Sequence, residues 1–380
     1  MEPFVYRNPT EILFGPGTIR EMASRIPPDA AVLWVYGGGS IRRNGVYEQT
    51  RDALGGRRFV EFGGIEPNPE YETCLRAVHV VRRERLDFVL ATGGGSVLDA
   101  AKFIAAAARY EGPDPWEILR THGEVVRSAL PVGTVLTLPA TGSEANGNSV
   151  ISRRATREKL HFTSDHVFPT FSVLDPDTTL TLPARLVRNG IVDAFVHVTE
   201  QYVTRPAGAP LQDRMAEAVL ATLIEVGPRT LADPADRDAR ASFMWAATLA
   251  LNTLIGCGVP QDWATHMIGH ELTALYGLDH AETLAVVLTG VWRHKLEAKR
   301  AKLEQYGRRV WQVLSAEDAL RKTEMFFDAI GMPSRLGAYG ISAAEAAEAV
   351  AHRFREQGWT FGEDGDIDAD AARAVLLSRA

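Results

Sequence analysis

Cysteine is nearly absent from this sequence: Cys74 and Cys257 are the only two in 380 residues. Two thiols do not make a disulfide framework in a chain of that size, so cohesion must come from apolar burial, and a reducing cytoplasm is the expected setting. Long apolar runs are missing as well. No stretch approaches the roughly 20 residues that span a bilayer, and the longest candidates, such as TLAVVLTGVW, read as buried helix. The opening segment MEPFVYRNPTEILFG lacks the basic-then-apolar pattern of an export signal. Like-charge runs are too short to suggest a binding tail. The formal net charge of −7 argues against nucleic acid or an anionic membrane surface as the main partner. A small molecule is the expected partner instead.

What is present reads as a globular protein of two or three domains. The first half alternates β-like runs, glycine turns and helical stretches. AVLWVY ends in Gly37-Gly38-Gly39-Ser40, DFVLAT ends in Gly93-Gly94-Gly95-Ser96, and VGTVLTLPAT leads into Thr141-Gly142-Ser143-Glu144. This alternation predicts a mainly parallel, Rossmann-like α/β sheet, whose ligands bind at the carboxyl ends of the strands. Beyond residue 183 strand-like runs vanish, and Ala-, Leu-, Glu- and Arg-rich helical stretches take over. Thr181-Leu182-Pro183 is a natural hinge. The expected division is therefore an α/β dinucleotide-binding domain over 1–182 and an all-α metal-binding domain over 183–380. The last helix should be capped by Asp368 or Asp370.

Five residues of the second half stand out. Asp193 and His197 are four apart in LVRNGIVDAFVHVTEQYV, and His266 and His270 are four apart in DWATHMIGHELTALYG. Positions i and i+4 share a helix face, so each pair can aim two donor atoms at one point. His280 follows just past the second stretch, beside Asp279. A carboxylate with imidazoles suits Zn²⁺ or Fe²⁺, and a metal with an open position polarises a carbonyl. The segment His270-Glu271-Leu272-Thr273-Ala274 is not a zinc-protease helix, because Ala274 stands where the second histidine must be.

The glycine turns suit phosphate, since strand-to-helix glycines let backbone N–H groups approach an anion at a helix N-terminus. Gly93–Ser96 fits, followed by Asp99 and Lys102. It is neither a Walker A loop nor a GxGxxG fingerprint, whose third glycine would fall on Leu98. The first strand carries no acid at its end to read a ribose 2′-OH. It is followed instead by Ser40, Arg42 and Arg43, which can hold a 2′-phosphate, so NADP(H) is expected over NAD(H).

Several phrases together resemble the iron-containing (group III) alcohol dehydrogenases. These are GGGSVLDAAK from Gly93, Pro67-Asn68-Pro69, Thr141-Gly142-Ser143-Glu144-Ala145-Asn146 and His266-Met267-Ile268-Gly269-His270-Glu271-Leu272. YGGGSIRRNG, VDAFVHVTEQYVT and DWATHMIGHELTALYGLDHAETLA are most similar to the NADPH-dependent butanol dehydrogenase and broad-range aldehyde reductase branch. The resemblance runs end to end. It implies a dehydroquinate synthase-like two-domain architecture with the active site between the domains, and one Fe²⁺ or Zn²⁺ ion held by Asp193, His197, His266 and His280. It implies that His270 lines the site without being a primary ligand. It places the cofactor against Gly38, Gly39, Ser40, Asn68, Gly94, Gly95, Ser96, Asp99, Thr137, Leu138, Thr141 and Ser143, with Lys159 near the adenosine phosphate.

The expected chemistry is hydride transfer from NADPH to a carbonyl held at the metal through Asp193 and His266, with His270 relaying a proton. Ser143 and Cys257 are not nucleophiles, as neither has a visible His/Asp arrangement. Rival readings are a lyase or glycerol dehydrogenase on the same scaffold, and a metal- or nucleotide-binding protein without catalysis. The terminal segment FVYRNPTEILFG is rich in β-formers and is expected to pair with its counterpart in a homodimer.

Overall fold

Six short strands form one sheet: β1 (Glu11–Phe14), β2 (Val32–Tyr36), β3 (Phe59–Phe62), β4 (Phe88–Gly94), β5 (Val132–Leu138) and β8 (Phe171–Leu174). Their order is β1-β8-β5-β4-β2-β3, with every neighbouring pair parallel. Parallel strands put all their carboxyl ends on one edge, so the turns after β2, β4 and β5 are gathered there. The central strands β2 and β4 are buried almost throughout, as a parallel sheet covered on both faces requires. Alternation along β2 sorts the two cores. Val32, Trp34 and Tyr36 join one cluster, while Leu33 and Val35 join the other.

The computed structural model describes all 380 residues, which divide into two compact units. One comprises Arg7–Pro183 with Pro234–Thr248, and the other Met1–Tyr6, Ala184–Asp233 and Leu249–Ala380. The first is the sheet unit. It holds helices α1 (Ser40–Arg43), α2 (Val46–Leu54), α3 (Tyr71–Glu84), α4 (Gly95–Arg109) and α5 (Glu117–Arg120). It also holds an antiparallel hairpin of β6 (Asn148–Arg153) and β7 (Glu158–Thr163). Nothing in the sequence patterning singles out that hairpin, and its two strands carry polar residues on two-thirds of their positions. Of the β-rich N-terminal run FVYRNPTEILFG, only Glu11–Phe14 is strand, and it pairs on one side, with β8.

The second unit is built from α6 (Ala184–Tyr202), α7 (Pro210–Ala232), α9 (Ala264–Tyr276), α10 (His280–His294), α11 (Leu296–Tyr306), α12 (Ala316–Ala329), α13 (Ala343–Gln357) and α14 (Ala369–Leu377). Helix α8 (Arg237–Ala250) groups with the sheet unit over most of its length. No strand follows β8 apart from an isolated bridge between Phe361 and Ile367. Asp368 caps α14, accepting from the backbone N–H of Asp370 and Ala371. From Gly190 to Tyr202 every residue of α6 is buried, and α10 is buried from Thr283 to Trp292. A helix apolar all round is a core helix. Asp193 and His197 are thus polar groups inside a core element, where each needs a partner or a task.

Candidate active site

In the helical unit the donor atoms of Asp193, His266 and His280 all lie within 4.8 Å of one another. His197 is beside them, its Nε2 3.5 Å from Asp193 Oδ1 and its ring stacked on His266 at 4.8 Å between centroids. His280 Nε2 is 3.8 Å from the same carboxylate oxygen. His270 is in contact with the group, 5.2 Å from His280 and 6.5 Å from His266 between ring centroids. Asp193, His197, His266 and His270 are all buried. Two core helices supply the i, i+4 pairs, and the start of α10 supplies His280.

Three further residues, which sequence patterning does not mark, set this geometry. Glu200, one turn beyond His197, bonds His266 Nδ1 through Oε2 and accepts from the Thr265 N–H at 2.7 Å through Oε1. With Nδ1 bound to Glu200, Nε2 of His266 is the nitrogen available to a metal, the carboxylate–histidine arrangement common at such centres. Burial, with Asp262 nearby, pushes the Glu200 carboxyl well above its usual range. Arg185 and Asn189 of α6 both bond Asp279 Oδ2, Asn189 at 2.8 Å. Asp279 and Glu282 form a capping box at the first turn of α10. His280 is therefore fixed to the helix that carries Asp193. One carboxylate oxygen with imidazole nitrogens, buried and without a thiol, is a donor set that fits Fe²⁺ or Zn²⁺.

In the sheet unit, β4 runs into α4 without a loop. Its glycines are required by packing. A Cβ on Gly93 would lie 2.5 Å from Val97, one on Gly94 2.9 Å from Leu138, and one on Gly95 2.5 Å from Thr141. The absence of side chains brings the N-terminus of α4 against Leu138 and Thr141 at the end of β5. Ser96 Oγ accepts from the Asn68 N–H at 3.3 Å, and Asn68 Oδ1 accepts from Lys159 Nζ at 3.0 Å. Asn68 adopts a left-handed φ of 55°. Ser96, Asn68 and Lys159 thus stand together at the start of a 15-residue helix, where N–H groups and an ammonium favour an anion.

Asp99 and Ser143 are placed differently from simple cofactor contacts. Asp99 Oδ1 accepts from Ser143 Oγ at 2.6 Å, and Oδ2 accepts from the Val150 N–H at 3.0 Å. Fully buried Lys102 donates to Ser143 Oγ at 2.9 Å, Asn146 Oδ1 at 3.1 Å and the Asn148 carbonyl at 2.9 Å. Burial pushes the Asp99 carboxyl up, and pulls the Lys102 ammonium down to about 8. The network locks residues 141–150 onto α4. Thr137 is buried, while Leu138 and Thr141 are half-buried at the end of β5.

After β2, Gly38 and Ser40 are exposed, and Gly39 turns the chain at φ 94°. Arg43 is exposed, whereas Arg42 donates to Glu61 Oε2 at 2.8 Å. No acid follows β2 in the chain, but the neighbouring strand β3 supplies one in space.

A parallel α/β unit with glycine-lined strand ends and an all-helical unit with a buried carboxylate–imidazole cluster define a class of two-domain, metal-dependent dehydrogenases. Within that class, the chain belongs to the iron-containing alcohol dehydrogenase family. Residues 9–176 match the family described as iron-containing alcohol dehydrogenase, and residues 188–375 match the C-terminal part of the Fe-containing alcohol dehydrogenase family. The chain is 54% identical to the NADPH-dependent aldehyde reductase YqhD of Escherichia coli, over 99% of each chain. It is 39% identical to a probable NADH-dependent butanol dehydrogenase of Bacillus subtilis, again over 99% of each. A crystal structure of E. coli YqhD is similar over 100% of this chain and 99% of its own, with 52% identity and a TM-score of 0.98.

Proposed function

We propose that this chain is a metal-dependent alcohol dehydrogenase and aldehyde reductase that moves hydride between NADP(H) and short-chain alcohols or aldehydes. The observation that carries the reading is the convergence of buried Asp193 and His266 with half-buried His280 within 4.8 Å, together with full-length likeness to an NADPH-dependent aldehyde reductase. Asp193, His197, His266 and His280 are the residues that would hold one Fe²⁺ or Zn²⁺ ion. Such an ion supplies Lewis acidity toward a carbonyl oxygen. NADPH supplies the hydride.

The chain's own residues do the rest. Glu200 orients His266, and Asp279, gripped by Arg185 and Asn189, orients the helix start at His280. Lys159, Asn68, Ser96 and the first N–H groups of α4 bind the cofactor phosphates, with Gly38, Gly39, Ser40, Gly94, Gly95, Thr137, Leu138 and Thr141 giving its backbone close approach. Asp99 and Ser143 serve by fixing the 141–150 loop. His270, buried beside His280, hands a proton to the developing alkoxide from an imidazole nitrogen. The proposed division is accordingly an NADP(H)-binding domain over 1–182 and a metal-binding domain over 183–380, with residues 234–248 grouping with the first and 1–6 with the second.

A homodimer and a cytoplasmic location complete the proposal. The outer edge of β1 is unpaired in the sheet order, and Val5, Phe14 and Trp245 are exposed around it or just before it. An edge of that kind invites a second copy. No helix is long and apolar enough to cross a membrane, and both cysteines are free. The test is metal analysis of the purified protein with NADPH and NADH rates on short aldehydes, before and after chelation. Turnover that persists in metal-free protein would sink the metal reading. Sedimentation at working concentration tests the dimer.

A further inference from the structure

Behind the turn after β2 lies a cluster that the reaction above does not use. Trp34 of β2 and Tyr47 of α2 stack at 4.7 Å between ring centroids, and the Arg42 guanidinium lies 3.8 Å above the Tyr47 ring. Glu61 of β3 ties the group together. Its Oε1 accepts from the Tyr47 hydroxyl at 2.7 Å, and its Oε2 accepts from the Tyr36 hydroxyl at 2.7 Å and from Arg42 Nη2 at 2.8 Å. Arg42 Nη2 also donates to the Tyr36 hydroxyl at 2.7 Å. Burial pushes the Glu61 carboxyl up, but the two hydroxyls and the guanidinium outweigh it and hold the group below the usual carboxylate range. Glu61 is therefore an anion at neutral pH.

Only Nη2 of Arg42 is engaged by this cage. Nε and Nη1 point no bond at it, and 48% of the side chain is exposed. Arg42 is thus held over an aromatic platform two residues after Ser40, with N–H groups left to donate. A guanidinium fixed in advance loses little freedom on meeting a phosphate. The carboxylate that helps to fix it carries the wrong sign for the same ligand.

Resting on the reading that the adenosine end of NADP(H) lies on the Gly37–Ser40 turn, we propose that Glu61 is a specificity-determining residue. It restrains the preference for a 2′-phosphate, by sharing the Arg42 charge and by repelling the phosphate. The preference is therefore weaker than Arg42 alone would set. Glu61→Gln keeps an acceptor for the cage and removes the charge. The stacking on Tyr47 and the bond to Tyr36 keep Arg42 in place.

The experiment uses adenosine 2′,5′-bisphosphate and AMP as probes on the full-length, metal-loaded protein, with affinities measured by titration calorimetry. Glu61→Gln is expected to tighten the bisphosphate by about threefold to tenfold, the scale of one partly screened charge at close range, and to leave AMP unchanged. Arg42→Ala is expected to weaken the bisphosphate and leave AMP unchanged. If Arg42→Ala weakens the bisphosphate but Glu61→Gln leaves it equal or weaker, this inference is overturned while the cofactor placement stands. If Arg42→Ala changes neither probe, the placement itself fails. Thermal melting of both variants checks that the sheet edge is intact.

Discussion

Two lysines, one in each unit, are buried to 2% exposure or less, and they are held in opposite ways. Lys299 of the helical unit donates to Asp262 Oδ2 at 2.8 Å, Glu363 Oε1 at 2.6 Å and the Val203 carbonyl at 2.8 Å. Burial lowers its pKa, but the two carboxylates outweigh burial and raise it. Lys102 of the sheet unit has a hydroxyl, an amide oxygen and a carbonyl as acceptors, and reaches Asp99 only through Ser143. Burial wins there, and the pKa falls to about 8. The difference shows how each unit braces its site. Asp262 Oδ1 also accepts from the Ala264 N–H at 3.0 Å, two residues before His266, so charge pairing anchors the metal-bearing helix. An ammonium on neutral acceptors anchors the loop at the end of β5.

The sharpest way to separate the two regions is to remove a metal donor. Asp193→Ala or His266→Ala should lose bound metal and lower turnover by about a thousandfold or more, as when a group that stabilises developing charge is deleted. NADPH binding, which the proposal assigns to the other unit, should survive. His270→Ala should keep the metal and lose only rate. Metal content by emission spectroscopy and NADPH titration by fluorescence decide it. Loss of cofactor binding in the Asp193 or His266 variants would show that the two sites cannot be treated apart.

The lysines come next. Lys299→Met strands two buried carboxylates and should cost about 3–5 kcal/mol in urea unfolding, the scale for breaking a buried pair. Lys102→Met leaves Asp99 its bonds from Ser143 and Val150, and should cost about 1–3 kcal/mol. Equal losses would erase the distinction between charged and neutral bracing. The pH dependence sharpens it. An unfolded lysine titrates near 10.5, while Lys102 in the folded chain titrates near 8. Between those values the unfolded state binds more protons, so stability contributed by this site rises as pH rises from 8 toward 10.5, by up to about 3 kcal/mol. Lys102→Met should lack that rise, measured against the unmodified protein across the same range.

Much of this was legible in the sequence, and the limits have a physical pattern. The pairs Asp193/His197 and His266/His270 were visible because helical periodicity is local, and so was the Asp368 cap. The GGGS phrases marked the ends of β2 and β4, although at Gly94 and Gly95 what demands glycine is packing against Leu138 and Thr141, more than 40 positions on. Glu200 sits in plain view three residues beyond His197, yet its role depends on His266, 66 positions away. Arg185 and Asn189 act on Asp279 across 94 and 90 positions. Glu61 escaped for a similar reason. The absence of an acid after β2 was read along the chain, whereas β3 lies beside β2 with Trp34 opposite Glu61. Spacing reports what one element does, and strand order is a property of the whole sheet.

The smallest effect tests the nucleotide turn directly. Gly38 is exposed, its φ is not in the left-handed region, and a Cβ there meets nothing within 4 Å. Gly38→Asp should therefore fold without strain, unlike a substitution at Gly39, whose φ is 94°. The new carboxylate would accept from a free ribose 2′-OH and repel a 2′-phosphate. A charge-assisted hydrogen bond gained on one ligand and repulsion on the other amount to about 1.5–3 kcal/mol, roughly tenfold or more in relative kcat/KM. The NADPH-to-NADH ratio should fall by that factor and approach or cross unity. Arg43→Ala, which removes an exposed guanidinium from the same turn, should move the ratio the same way by less. A Gly38→Asp enzyme with an unchanged ratio would place the adenosine ribose away from β2. Arg43 would then be a charge of a solvated turn, Arg42 a partner of Glu61 and the two tyrosines only, and the phosphate grip would lie with Lys159 and the start of α4 alone.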